Sequence, residues 1–214
     1  MDRIDWRLCF IVDSEAAAGR DILQLVGEAV DGGATIIQLR GKKWTSRKFM
    51  EVGMKTVRFL STKKIPLIIN DRVDIALACE AHGVHLGQDD MLLPYAREIL
   101  GKNRIIGISV NTKEEAAAAE RGGADYIGAG PVFGTLSKEN LGPFLGLEGL
   151  RTIREKVKIP ILAIGGIAAA NVADVISAGA DGVAVISAIA AAANPKKAAN
   201  EIFESIGKIK NSRR

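Results

Sequence analysis

Histidine and cysteine are scarce in this chain, with two of each in 214 residues. Cys9 and Cys79 sit inside apolar segments, without C-x-x-C spacing and without the group of cysteines and histidines that would complete a tetrahedral site. A structural zinc site and a redox dithiol are therefore excluded, and both thiols read as buried. Aromatic residues make up 5% of the chain, and no Lys/Arg stripe is interleaved with them. The formal net charge of +4 equals the four cations Lys208, Lys210, Arg213 and Arg214 of the acid-free tail at about 208–214. That tail reads as solvated, frayed chain, so no nucleic-acid partner is expected. No apolar run reaches the roughly 18–20 uncharged residues of a membrane span, and the opening MDRIDWR has neither the basic start nor the apolar run of a secretory signal. A cytoplasmic protein with no membrane partner is expected. The sequence leaves open whether it forms a homo-oligomer.

What the chain does have is rhythm. Short apolar runs recur at 8–12, 35–39, 66–70, 83–87, 104–110, 125–130, 160–165 and 182–187. Between them lie segments of helical period, among them DILQLVGEAVDGG, SRKFMEVGMKTVRFLSTKK, NTKEEAAAAERGG and NVADVISAGA. Glycines in DGGAT, AHGVH, RGGADYIG and SAGADGVAV stand where a helix should end and a strand begin, as left-handed turns would require. Continuous apolar strands alternating with helices imply a parallel sheet covered by helices. Eight such units in about 200 residues predict a (β/α)8 TIM barrel, one domain over 1–214. An open doubly wound sheet is the structural alternative, but no G-x-G-x-x-G follows the first run.

Active sites of such barrels lie at the C-terminal ends of the strands, so the informative positions are those where each apolar run turns polar. Strand two ends in Gln38, Arg40 and Lys42, strand three in Asn70 and Asp71, strand four in Gln88, Asp89 and Asp90, and strand five in Ser109. Strand six runs into a long loop with Lys138, strand seven reaches Gly165-Gly166, and strand eight reaches Ile186-Ser187. Asp71 and Asp90 offer the hard oxygens that suit Mg2+ completed by water and phosphate. Arg40, Lys42 and Lys138 offer phosphate contacts, and the turns after strands seven and eight are the usual phosphate pocket of this fold. Each signal has a plainer alternative: Asp71, Asp89 and Asp90 could cap helices, and Gly165-Gly166 could be only a tight turn. Their convergence on one rim points to small phosphorylated substrates and a divalent metal. His82 falls at the opposite end of the barrel and reads as structural. His85 reads equally as a hydrogen-bonded core residue or as one facing the site. No Ser-His-Asp or Cys-His set emerges, so the chemistry should rest on charge stabilisation.

The stretches QLRGK, INDRVDIALACEAHGVHLGQDD, IGISVNT, DYIGAGPVF, TLSK, IPILAIGGI and DGVAVISAI resemble, in order and over nearly the whole chain, the signatures of the thiamine-phosphate synthase family. The resemblance implies a transferase that joins hydroxymethylpyrimidine diphosphate to hydroxyethylthiazole phosphate and releases diphosphate, by departure of diphosphate before attack of the thiazole nitrogen. It implies that Asp71 and Asp90 hold Mg2+. Gln38, Arg40, Lys42, Asn70, Ser109 and Lys138 would contact the pyrimidine diphosphate, with Arg40, Lys42, Ser109 and Lys138 serving catalysis. Thr135, Ser137, Gly166, Ile186 and Ser187 would cradle the thiazole phosphate. Two residues depart from the family pattern: Gly41 stands where the family has Glu, and Ser137 where Thr is commoner. Alternation points residue 41 away from 40 and 42, so only a supporting carboxylate is in question. The competing reading is a TenI-like thiazole tautomerase or non-catalytic thiazole phosphate-binding regulator, which has no need of diphosphate and Mg2+ ligands.

Overall fold

The computed structural model describes residues 4–134 and 144–211. Its strands are β1 (Leu8–Asp13), β2 (Ile36–Arg40), β3 (Leu67–Asn70), β4 (Gly83–Leu86), β5 (Ile105–Val110), β6 (Tyr126–Ala129), β7 (Ile161–Ile164) and β8 (Gly182–Val185). They form a closed parallel barrel in sequence order, β8 pairing back onto β1 with Leu8 opposite Val183. The helices are α1 (Ile22–Asp31), α2 (Ser46–Ser61), α3 (Val73–Ala78), α4 (Leu93–Leu100), α5 (Lys113–Arg121), α6 (Gly146–Lys156), α7 (Val172–Ser177), α8 (Ser187–Ala190) and α9 (Pro195–Asn211). This is the (β/α)8 architecture. No helix among the described residues is long and apolar enough to cross a membrane.

The two-residue period of each strand splits the core in two. Leu8, Phe10 and Val12 of β1, with Ile37, Leu39, Leu67 and Ile69, join the layer between barrel and helices. Cys9, Ile11, Ile36, Ile68, Ile105, Tyr126, Leu162 and Ala184 point inward and fill the barrel. Trp6 lies against Tyr126 from below, ring centroids 5.0 Å apart. Because the lower barrel is packed solid, the same inward alternation delivers its later members, Asp13, Gln38, Arg40, Asn70, His85 and Ser109, to the open C-terminal mouth.

Helix starts follow local chemistry. Asp21 and Thr45 accept from Gln24 N and Lys48 N at the heads of α1 and α2, and Thr112 with Glu115 forms a capping box on α5. After α1, α5 and α7 the chain turns through left-handed Gly33, Gly123 and Gly179, as expected. The fourth glycine joint is different. After α3 the left-handed residue is Glu80, with φ 56°, while Gly83 opens β4. Gly83 is required by crowding, since a Cβ there would lie 2.0 Å from Ile105 O. The basic tail also differs from expectation. Lys208 and Lys210 lie in the last turn of α9, and Lys210 Nζ donates to Asp181 O at 2.5 Å, so the segment up to residue 211 is helix and not frayed chain.

Candidate active site

Gln38, Arg40, Asn70, Ser109 and Ile186 come together, with His85 and Tyr126, around one cavity at the C-terminal mouth of about 480 Å³ counting its open side. Arg40 is held by an ion pair to Asp13 at the end of β1, its register neighbour. The Asp13 carboxylate is fixed in turn, because its Oδ1 accepts from Glu15 N at 3.0 Å and Ala16 N at 2.9 Å. Asp13 is 4% exposed, so the pair lies mostly out of water and sets the direction of the guanidinium.

Beside the cavity, Lys42 pairs with Asp71. Asp71 is left-handed, with φ 64°, and its N–H donates to His85 O at 2.8 Å. A left-handed non-glycine residue costs conformational energy, which the fold offsets here to aim a carboxylate at the mouth. Burial pushes the Asp71 carboxyl above its ordinary value; the Lys42 ammonium opposes this, and the adjacent Asp90 carboxyl adds to it. Asp90 Oδ2 accepts from Gly87 N at 2.7 Å, which anchors it. Neither aspartate caps a helix: α3 begins after Arg72 and α4 after Leu92, both without a side-chain cap. Two hard-oxygen carboxyls held side by side fit a divalent cation that draws its remaining ligands from water and substrate. No cluster of three or more His, Cys, Asp or Glu residues joins them among the described residues.

His85 resolves as both things its position allowed. It is buried, hydrogen-bonded to Tyr126 and Ser109, and it also lines the cavity. His82 is structural as expected, its Nδ1 accepting from Leu67 N at the start of β3, and burial pushes its pKa down with Arg104 adding to the effect. Gln88 lies outside the cavity lining and donates to Ser109 O at 2.5 Å. Gly41 points away from its neighbours, as alternation requires, and it faces Trp44: a Cβ there would lie 2.4 Å from indole Cε3. The glutamate of the family pattern has no space here while that ring, tilted at 77° to Phe49, stays in place.

At the far side of the mouth, Gly166 (φ 64°) turns after β7 and its O accepts from Asn171 Nδ2 at 2.9 Å. A Cβ on it would meet Gly134 O at 2.5 Å, so the turn packs against the β6–α6 connection. Ile186 lines the cavity, and Ser187 opens the four-residue α8, exposed. Thr135, Ser137 and Lys138 lie outside the described residues. Two residues were missed in the sequence. Asp13 ends β1 just as Arg40 ends β2, and its signal is the same, a polar residue closing an apolar run. Tyr126 begins its strand and so carries no such signal.

A family model described as "Thiamine monophosphate synthase" matches residues 8–189. The chain is similar to the thiamine-phosphate synthase of Moorella thermoacetica, 48% identical over 94% of this chain and 96% of that one. It is also similar to that of Chloroflexus aurantiacus, at 46% over 93% and 92%. Among solved structures, a thiamine phosphate pyrophosphorylase from Pyrococcus furiosus superposes with TM-score 0.88 at 41% identity, covering 96% of this chain and 98% of that one. A 3-hexulose-6-phosphate synthase superposes at 0.70 with 21% identity and shares the fold alone.

Proposed function

From the premise that the chain belongs to the thiamine monophosphate synthase family, we propose that the cavity and its rim couple hydroxymethylpyrimidine diphosphate to hydroxyethylthiazole phosphate. The protein is a transferase of the thiamine-phosphate synthase type. In the reaction, the bond from the pyrimidine methylene carbon to the diphosphate oxygen breaks, and its electron pair leaves with the oxygen. The thiazole nitrogen lone pair then forms the new carbon–nitrogen bond. No proton must be moved in either step, which agrees with a rim built from charged groups.

Gln38, Asn70 and Ser109 orient the pyrimidine in the cavity. Arg40, Lys42 and Lys138 take the diphosphate, Arg40 by its two-pronged edge and the lysines as point charges. Thr135, Ser137, Gly166, Ile186 and Ser187 hold the thiazole phosphate. Asp71 and Asp90 would hold Mg2+, which when bound supplies positive charge against the departing oxygen. The observation that carries the reading is a cavity lined by Gln38, Arg40, Asn70 and Ser109, with the Lys42–Asp71 pair and the adjoining Asp90 carboxyl following directly on Asn70 beside it. A tautomerase or thiazole-binding regulator has no use for that charged set. The test is incubation with both phosphorylated precursors, with and without Mg2+. Thiamine phosphate and diphosphate should appear in equal amounts, and only with the metal. Undiminished product in EDTA would remove the metal assignment, and no product under any condition would favour the binder.

A further inference from the structure

The cavity wall carries three polar side chains in a row. Tyr126 Oη lies 2.9 Å from His85 Nδ1, and His85 Nε2 lies 2.9 Å from Ser109 Oγ. The row is built into the strands. His85, Gly107 and Tyr126 stand in register across β4, β5 and β6. Gly107 is the gap the phenol crosses, since a Cβ there would lie 2.1 Å from Tyr126 Cζ and 2.5 Å from its oxygen. Gly128 leaves room for the imidazole in the same way, its added Cβ falling 2.8 Å from His85 Cε1.

A neutral imidazole carries one N–H, so the row has two possible directions. With the hydrogen on Nδ1, the ring donates to Tyr126, Ser109 donates to Nε2, and the phenolic hydrogen is stranded in a layer where Tyr126 is 1% exposed. A doubly protonated ring strands it too. With the hydrogen on Nε2, Tyr126 donates to Nδ1 and His85 donates to Ser109 Oγ. The one hydrogen left over is then that of Ser109, which is half-buried and faces the cavity. A buried donor without an acceptor is costly, whereas one at an open cavity finds water or a ligand.

We infer that the row runs only from Tyr126 through His85 to Ser109, which makes Ser109 a fixed hydrogen-bond donor toward the bound ring and makes Tyr126 and His85 positioning residues for it. The inference rests on the reading that a pyrimidine occupies this cavity; its ring nitrogens are acceptors, and a donor held in one direction selects for them. Gly107 and Gly128 are then part of the specificity device, as the space that allows the row to form.

The direction can be read without substrate. In protein labelled with 15N-histidine, long-range proton–nitrogen correlation spectra give the tautomer of each ring, and contacts to the Tyr126 ring protons identify His85. The expected result is the Nε2–H tautomer; an Nδ1–H or doubly protonated His85 overturns the inference. In the coupling assay, Tyr126→Phe should raise KM for the pyrimidine diphosphate by about 3- to 10-fold, the worth of one neutral hydrogen bond, and leave KM for the thiazole phosphate unchanged. Added to Ser109→Ala, the same change should have no further effect. Equal rises in both KM values, or losses that add in the double variant, would reduce Tyr126 to a packing residue. A wild-type protein that couples nothing would refute the functional reading alone, because the tautomer spectrum would still decide the direction of the row.

Discussion

Asp13→Asn separates a pair that matters from one that does not. The side chains of Arg40 and Asp13 are 17% and 6% exposed, so the pair has lost most of its water. Removing one partner of a fully buried pair costs roughly 3–5 kcal/mol, because the other charge is left uncompensated. Here the loss is smaller. Asparagine still accepts from Glu15 N and Ala16 N, and Arg40 sits at an open mouth where water reaches it. We expect about 1–3 kcal/mol, intermediate between exposed and fully buried pairs. For a chain of this size that is a fall in Tm of roughly 2–12 °C. The guanidinium also loses the partner that aims it, so kcat/KM for the pyrimidine diphosphate should fall about tenfold, the equivalent of roughly 1.4 kcal/mol. The control is Lys43→Ala. Lys43 also pairs with an acid, Glu15, but these side chains are 77% and 46% exposed, and its removal should shift stability by less than about 0.5 kcal/mol. Thermal unfolding and steady-state kinetics on both variants decide the matter. If Asp13→Asn and Lys43→Ala are indistinguishable, burial of the first pair has no consequence and the reasoning fails.

Asp71→Ala and Lys138→Ala should each lower turnover by about 10²-fold or more, the scale of losing one preorganised charge stabiliser, and wild-type rates in both would refute the site. Gly41→Glu should cost roughly 1–3 kcal/mol through collision with Trp44, and combining it with Trp44→Leu should recover much of that loss in denaturant melts. Simple additivity of the two changes would show that the ring does not occupy the space. His82 supplies a pH test. Its folded pKa lies below its ordinary value of 6.5, so the unfolded chain binds more protons, and its contribution to stability is complete above that value and is lost as pH falls through the depressed one. His82→Asn should therefore flatten the loss of unfolding free energy between about pH 7.5 and 5. Parallel curves for variant and wild type would count against burial as the cause.

The barrel was legible because parallel strands buried on both sides leave continuous apolar runs, and each of the eight runs overlaps one observed strand. The mouth was legible for a related reason: side chains beyond the filled lower layers emerge from the core at each strand end, so Arg40, Asn70 and Ser109 mark depth as well as chemistry. Asp13 obeys the same rule, but only its pairing with Arg40 across β1 and β2 distinguishes it from a turn-forming aspartate. Tyr126 was illegible for a geometric reason. Its position is low on β6, yet strand register places its hydroxyl level with His85, two strands away, and nothing in one strand's pattern carries the register of its neighbours. The role of Gly41 depends on a ring three residues on, and His82 was placed correctly because the end of the barrel follows from order alone.

Leu8 pairs with Val183, so the seam that closes the barrel joins residues from opposite ends of the sequence. Loop-closure entropy grows only with the logarithm of the enclosed length, and the seam therefore costs little more than a much shorter crossover. What it abolishes is larger. Until β8 meets β1, both strands present rows of unsatisfied N–H and C=O groups, the template on which a second chain can add. The vulnerable species is thus the nearly finished barrel, and crowded or slow refolding should lose protein to strand exchange at β1 and β8 before any inner strand is exposed.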